Sequence, residues 1–247
     1  MHFDIISLFP EAWHALEHGI VERAQQTQLF TRTFWQLREY ANKDDGRIDD
    51  RPYGGGPGML MQYSPLKRCL TAISDTHPHK PWVIQLDPTG TTLTQDVLSP
   101  LLNKPAITLV CGRYEGIDQR FTDHHVDQCI SVGDFVQSGG DLPAMLLVDA
   151  LVRLLPGSIG NALSKEQDSY QTGLLDYPHY TRPSTVDGHS VPEVLLNGNH
   201  RDILRWRRTQ ALGRTLEKRM LSGQTLTLTD LELLNDYLTK RHPTDKT

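Results

Sequence analysis

Cysteine is scarce in this chain of 247 residues, and the few that occur form no metal-binding or disulfide pattern. Cys69, Cys111 and Cys129 are odd in number and show no CxxC spacing. This argues against a disulfide framework and a zinc ribbon, and it is typical of a protein of the reducing cytoplasm. The HExxH motif, a Cys/His cluster and the EF-hand loop are also missing, so no common metal-site motif is present.

Nucleotide-binding motifs and membrane segments are missing too. The sequence GxxxxGK[ST] does not occur, and the glycines of residues 133–140 lack GxGxxG spacing, which disfavours phosphate-loop and dinucleotide binding. No apolar run is long enough to cross a bilayer, and the N-terminal residues lack the pattern of a signal peptide. We therefore expect a cytoplasmic protein without a membrane partner.

Positive charge is in short supply except near the C-terminus. The net charge is −5, yet residues 201–247 carry ten Lys or Arg against six Asp or Glu, and seven of the ten lie within residues 201–219. A basic patch in an otherwise acidic chain is typical of a polyanion-binding module. A solvated helix face would show the same charges, and the pattern favours neither reading.

Apolar segments of strand length alternate with helical periodicity over the first 155 residues. The predicted strands are residues 2–9, 30–37, 82–86, 106–111 and 130–132. The predicted helices are residues 11–25, 64–74, 94–103 and 143–155, followed by 200–222 and 229–241 nearer the C-terminus. The alternation predicts an α/β domain with a mostly parallel sheet. Residues 157–175 are polar and aperiodic, which is typical of a linker or a lid.

Glycine-bearing turns follow three of the predicted strands, at residues 86–90, 112–116 and 131–140. Ligands of open α/β sheets bind at the carboxyl ends of the strands, where such turns lie. Each turn alone is a weak signal. Together they predict one pocket built largely from backbone amides and carbonyls, suited to a nucleoside-like ligand.

The most distinctive stretch is the glycine-rich run, residues 49–59 (DDRPYGGGPGM). Four glycines and an internal proline cannot settle as helix or strand, but they allow sharp turns and close approach to a ligand. A mobile surface loop is the alternative. Arg51, Pro52, Tyr53 and Pro57 stiffen the run and argue against a simple linker.

Six segments resemble the bacterial tRNA (guanine-N1)-methyltransferases of the SPOUT superfamily, and the resemblance covers nearly the whole chain. They are residues 5–11 (IISLFPE), 49–61 (DDRPYGGGPGMLM), 109–118 (LVCGRYEGID), 138–145 (SGGDLPAM), 173–183 (GLLDYPHYTRP) and 194–200 (VLLNGNH). These strings are long and idiosyncratic, so the resemblance is specific.

The resemblance implies an α/β domain with a deep trefoil knot, residues 1–159, that binds S-adenosylmethionine. A linker or lid, residues 160–175, and a small, mainly helical tRNA-binding domain, residues 176–247, follow. It further implies a homodimer with its active site at the subunit interface. The implied reaction methylates N1 of guanosine 37 of tRNA, just 3′ of the anticodon, when another guanosine precedes it.

The resemblance assigns the cofactor to the three turns and the start of the helix that follows. The residues concerned are Leu86, Pro88, Gly90, Gly112, Tyr114, Glu115, Gly116, Ser131, Val132, Gly133, Asp134, Phe135, Val136, Gln137, Gly139, Gly140 and Pro143. The chain departs from the family at 87 and 89, where it has Asp and Thr and we expect Ser and Gln. The residues before Ile48 also depart, since the family's His-Arg is replaced by DDGR.

The resemblance also assigns catalytic and substrate residues. Asp168 matches the general base, Arg153 an arginine near the target guanine, and Glu115 a residue linked to Mg²⁺. From the residues alone, each has a plainer reading, as a loop carboxylate, a surface ion pair and a helix N-terminal charge. The substrate residues are Asp49, Asp50, Tyr53, Gly54, Gly55, Gly58, Ser164, Arg201, Arg205 and Arg208.

Two alternatives remain open from the sequence. A knotted enzyme could instead methylate a ribose 2′-hydroxyl, or the chain could be a non-catalytic RNA-binding protein that uses residues 201–219. We also expect residues 157–172 to be mobile and to become ordered over the site when tRNA binds.

Overall fold

Short apolar strands pair side by side to form the central sheet. The computed structural model describes residues 1–42, 46–160, 168–218, 221 and 226–241. Its main sheet has the order β2-β1-β6-β5-β7. These strands are β1 His2–Ser7, β2 Thr31–Gln36, β5 Trp82–Thr92, β6 Ala106–Val110 and β7 Gln128–Ser131. All four pairings are parallel, so the predicted α/β class is confirmed, whereas the knot stays a prediction.

Helices cover both faces of this sheet. They are α1 Gly19–Gln26, α2 Tyr63–Asp75, α3 Gln95–Leu101, α4 Gln119–His125 and α5 Asp141–Leu154. Side chains alternate along a strand, so β1 sends Ile5 into the cluster that contains Leu147 of α5, and Ile6 into the cluster that contains Leu66 of α2. Burial of both faces explains the nearly continuous apolar strands.

Some predicted bounds are wrong. Residues 11–25 do not form one helix: a 3-10 helix, Pro10–Leu16, is followed by an extended His18 and by Gly19 at φ +72°, where α1 begins. Few residues other than glycine adopt that backbone conformation, so the helical periodicity is interrupted there. Helix α2 begins at Tyr63 with Gln62 as its N-cap, not at Ser64. Helix α4 is absent from the sequence prediction.

Strand β5 contains a bulge at the predicted turn, residues 87–90. Leu86 and Thr91 both pair with Ile130 of β7, so the four residues between them leave the register. A side chain at Gly90 would overlap the backbone of Cys129 and Ile130. Gly90 therefore allows the bulge to return tightly onto β7.

The chain divides into two compact units, Met1–Gly160 and Asn161–Thr247. The second contains α6 His200–Glu217, α7 Leu228–Arg241, a 3-10 helix Glu193–Leu195 and the hairpin of β8 Thr185–Val186 with β9 His189–Ser190. Its core brings Leu212 against Leu233 and Leu234. The predicted domain limits stay predictions, and residues 161–167 of the predicted linker and lid lie outside the described residues.

A capping arrangement lies at the start of α7, the helix that the sequence predicts to begin at residue 229. Thr227 Oγ1 accepts a hydrogen bond from Asp230 N at 3.1 Å, and Asp230 Oδ2 accepts one from Thr227 N at 3.2 Å. This reciprocal arrangement is a capping box with aspartate in place of glutamate. None of the described helices is long and apolar enough to span a membrane.

Candidate functional site

A cavity opens at the bulge of β5 and the carboxyl ends of β6 and β7, where the three glycine-bearing turns meet. Fifteen of the seventeen predicted cofactor residues line it: Leu86, Pro88, Gly112, Tyr114, Glu115, Gly116, Ser131, Val132, Gly133, Phe135, Val136, Gln137, Gly139, Gly140 and Pro143. Gly90 and Asp134 are not among its lining residues. Asp87 and Arg113, which lie within the predicted turns, line it too, as do Gln85, Ile117 and Ile130, which lie outside those turns.

Two of the turns touch through their backbones. Gly140 N donates a hydrogen bond to Gly112 O at 2.7 Å. A Cβ on Gly140 would lie 2.7 Å from Gly112 N, and one on Gly139 would lie 2.5 Å from Arg113 Cδ. The glycines at 139 and 140 are thus required by contact with the neighbouring turn.

A buried carboxylate, Asp141, holds the cavity wall in place. It accepts hydrogen bonds from Ser7 Oγ and from Trp13 Nε1, the latter at 3.1 Å. Arg113 donates to its other oxygen from Nε at 3.0 Å and from Nη2 at 2.6 Å. The Arg113 guanidinium also lies 4.7 Å from the ring centre of Phe9. One side chain at the start of α5 therefore fixes the turn after β6.

A second carboxylate, Asp87, lies in the cavity wall itself. Burial acts to raise its pKa, but hydrogen bonds from Thr89 and Gln85 outweigh burial, so the pKa is lowered. Thr89 Oγ1 donates to Asp87 Oδ1 at 2.7 Å, and Gln85 Nε2 donates to Oδ2 at 3.1 Å. Gln85 Oε1 in turn accepts from Thr122 at 2.8 Å. Asp87 is therefore ionised and held in place at neutral pH.

The lining suits S-adenosylmethionine, the cofactor that the resemblance implies. Leu86, Ile130 and Pro143 provide apolar surface for an adenine ring, and the glycines expose backbone groups. Gln137 Oε1 is buried and has no hydrogen-bond partner among the described residues, so it can accept a hydrogen bond from a ligand amine. Carboxylates in the wall suit the cofactor's positive charge.

The glycine-rich run borders this cavity at its C-terminal end. The short antiparallel strands β3 Asp49–Asp50 and β4 Leu60–Met61 form its base. Glu115 N donates to Met59 O at 2.9 Å, and a side chain on Gly58 would overlap that of Glu115. At its tip, Gly54 and Gly55 have positive φ, and Tyr53 is 99% exposed. The tip is thus open to a partner.

The predicted catalytic residues do not line the cavity in one chain. Arg153 lies in the last turn of α5, ten residues after Pro143, which is about 15 Å along the helix axis. Asp168 belongs to the second unit. Ser164 lies outside the described residues.

Much of the basic patch is used inside the second unit. Arg208 donates to both oxygens of the buried Asp230, at 2.8 and 3.1 Å. Arg205 pairs with Asp236 at 3.0 Å, and Arg207 lies 4.8 Å from the ring centre of Tyr177. The pairs at 205 and 208 join α6 to α7. Exposed Arg201 is a better candidate for contact with RNA, and Arg219 lies outside the described residues.

Glu115 is the residue predicted for a metal, but a different group has metal-ligand geometry. Among the described residues, His2, Asp4 and His77 form the one cluster close enough to hold an ion. It includes the first residue of β1, at the opposite end of that strand from the cavity. Asp4 is already satisfied by Trp35 Nε1 at 2.8 Å and His77 Nε2 at 2.7 Å, so hydrogen bonding explains the cluster.

Comparison with known proteins agrees with this geometry. A family model described as "tRNA (Guanine-1)-methyltransferase TrmD" matches residues 1–222. The tRNA (guanine-N(1)-)-methyltransferase of Hydrogenovibrio crunogenus is 54% identical over 220 residues, 89% of this chain and 93% of that protein. The protein of that name from Pseudomonas fluorescens Pf-5 is 47% identical over 244 residues, 98% of both chains.

A solved structure is similar as well. The crystal structure of tRNA (m1G37) methyltransferase from Aquifex aeolicus matches with a TM-score of 0.74 and 35% identity, covering 89% of this chain and 93% of that one.

Proposed function

This chain belongs to the tRNA (guanine-1)-methyltransferase family, and from that premise we propose that it methylates N1 of guanosine 37 in tRNA, using S-adenosylmethionine. The observation that carries the proposal is the cavity, because fifteen residues assigned from the family pattern converge on it. The donor is the cytoplasmic pool of the cofactor, and the free cysteines suit that compartment.

In the reaction, the cavity binds the cofactor and aligns its methyl group with the acceptor. The cofactor, when bound, supplies a methyl group on a sulfonium, and transfer is an in-line displacement that needs mainly alignment. The backbone groups of Gly112 and Gly140 are held by their mutual hydrogen bond, so the wall keeps its shape. Asp141 supports it by fixing Arg113.

Two residues outside the cavity assist the reaction at the guanine. The N1 proton must leave for the attacking lone pair to be free, and Asp168 is our general base for that proton. Arg153 offsets the negative charge that develops on guanine O6. Glu115 is our candidate for Mg²⁺, which commonly takes one or two carboxylates and fills its other positions with water.

We further propose that two copies form the active site together. The exposed face of α5 carries Leu142 and Leu146, 56% and 53% exposed, and continues through Asp149 to Arg153. This spacing places all four residues on one side of the helix. Exposed leucines on one helix face are typical of a protein interface, and Phe135 of the preceding turn is exposed as well. A partner packed there would receive Arg153 near its own cavity.

The tRNA would lie against the tip of the glycine-rich run and the second unit. Tyr53 offers a ring for stacking on a base, while Gly54 and Gly55 permit close approach. Arg201 supplies a phosphate contact, so binding should weaken as salt increases.

The test is methyl transfer to a tRNA transcript, followed by nucleoside analysis. Asp168→Asn should bind S-adenosylmethionine like the unmodified protein and lose at least about 100-fold in transfer rate. Asp187→Asn, in the exposed hairpin turn, is the matched control. Near-normal transfer by Asp168→Asn would refute the base assignment. A ribose-methylated product would favour the 2′-hydroxyl alternative, and failure to bind the cofactor would favour a non-catalytic RNA-binding protein.

A further inference from the structure

The charges in the cavity wall are unbalanced. Its carboxylates are Asp87 and Glu115, and the one Lys or Arg among its described lining residues is Arg113. The guanidinium of Arg113 is already matched by Asp141, with Nη2 and Oδ2 2.6 Å apart. The wall therefore carries an excess of negative charge, which favours a cationic ligand over a neutral one of the same shape.

We propose that Asp87 determines ligand specificity in this cavity, making it prefer S-adenosylmethionine over its product S-adenosylhomocysteine. The inference rests on the proposed function. The two ligands differ by a methyl group and by the sulfonium charge, which disappears when the methyl group leaves. Both ligands keep their amino-acid charges, so a fixed carboxylate that faces the sulfur atom attracts the sulfonium of the first ligand but finds no charge on the thioether of the second.

Asp87 is built to act as a fixed charge. Three hydrogen bonds reach its carboxylate: Thr89 N at 2.9 Å, Thr89 Oγ1 at 2.7 Å and Gln85 Nε2 at 3.1 Å. Gln85 is itself nearly buried and is held by Thr122. Thr89 donates to one carboxylate oxygen and Gln85 to the other, which stabilises the ionised form and restricts its rotation. The serine expected at this position would provide no charge.

The position of Asp87 suits this role. It lies at the start of the bulge of β5, which Gly90 presses onto β7, so the backbone that carries it is fixed on both sides. A unit charge a few ångströms from a sulfonium, at the effective dielectric of a protein site, changes affinity by about tenfold or more. A preference of that size would favour the replacement of product by fresh cofactor at equilibrium.

Calorimetry with both ligands tests the inference without a turnover assay. We expect Asp87→Asn and Asp87→Ser to bind S-adenosylmethionine about tenfold more weakly, with S-adenosylhomocysteine affinity changed by less than about twofold. The control is Asp96→Asn, in the exposed first turn of α3. It also removes one negative charge, but at a site that does not line the cavity, and it should change the dissociation constant of neither ligand.

The outcomes separate charge from structure. If Asp87→Asn binds both ligands equally more weakly, the ratio of the two dissociation constants is unchanged. That result would show a structural role and overturn the inference. If the unmodified protein binds both ligands but the Asp87 variants have the same ratio of dissociation constants, the inference alone fails. If it binds neither ligand, the proposed function fails with it.

Discussion

At the scale of single residues, Asp141 does more for the site than any residue identified from the sequence. Its carboxylate joins β1 through Ser7, the 3-10 helix through Trp13, and the turn after β6 through Arg113. These partners are 28 to 134 residues away in the chain. Local periodicity carries no information about contacts at that separation, so Asp141 was read only as part of a motif.

Replacing Asp141 by Asn should destabilise the protein substantially. The amide keeps the shape but cannot neutralise Arg113, which leaves a partly buried cation without its partner. We expect a loss of about 3 kcal/mol in the free energy of unfolding, measured by urea denaturation. Asp75→Asn, exposed near the end of α2, should change it by less than about 0.5 kcal/mol. Equal midpoints for the two variants would contradict the prediction.

Asp87 shows another kind of information that the sequence alone does not provide. The departure from the family at 87 and 89 could be read directly, but its meaning could not. The carboxylate acquires its role from Gln85, which is buried by the fold, and from the bulge that turns residue 87 into the cavity wall.

At the scale of elements, the pair of Arg208 with Asp230 links α6 to α7. Hydrogen bonds from Arg208, joined by those from Thr227, lower the pKa of Asp230 to about 2, against the effect of burial. The folded pKa lies below the unfolded value, so the pair stabilises the second unit above about pH 4. That stability is lost as the pH falls from about 4 towards 2.

Denaturation at several pH values measures this contribution. The difference in unfolding free energy between the unmodified protein and Asp230→Asn should be about 2 kcal/mol at pH 6. It should shrink steadily below about pH 4. Asp236→Asn, which removes the exposed partner of Arg205, serves as the control and should show a much smaller difference. A pH-independent difference for Asp230→Asn would refute the linkage.

Elements with strong periodicity were predicted well, and those decided by one backbone angle or a long-range contact were not. Helix α5 follows from its leucine spacing. The break at Gly19 depends on a single positive φ, and helix α4 has only seven residues, too few for a clear period. The continuation of β5 past its bulge depends on its pairing with β7, which no local pattern specifies.

At the scale of the whole molecule, the proposed dimer makes a direct prediction. Leu142→Glu combined with Leu146→Glu places two charges on the exposed face of α5. Sedimentation should then show a dimer for the unmodified protein and a monomer for the variant, because a charged face no longer excludes water from the interface.

The same variant should keep its circular dichroism spectrum and lose methyl transfer. Leu228→Glu, at the exposed start of α7, is the matched control and should remain dimeric. A monomeric variant with full activity would show that one chain suffices for catalysis, and a monomeric unmodified protein would refute the dimer itself.

The cavity could be predicted as a whole because its turns follow strands in a regular fold, and the carboxyl ends of parallel strands meet. The catalytic residues could not be placed in the same way. Arg153 lies far along α5 from the cavity, and Asp168 lies in the other unit. Their proposed role depends on the proposed dimer, and no periodicity within one chain indicates which residues of two copies meet.

The bulge of β5 also provides a built-in chemical reporter, in the residue of β7 that it covers. Cys69 and Cys111 are buried, which leaves Cys129, under Gly90, as the one partly accessible thiol. Burial raises the pKa of Cys129, and the charge of Asp87 raises it further. Thiol reagents react with the thiolate, so replacing Asp87 by an uncharged residue should speed the modification of Cys129 in the folded protein.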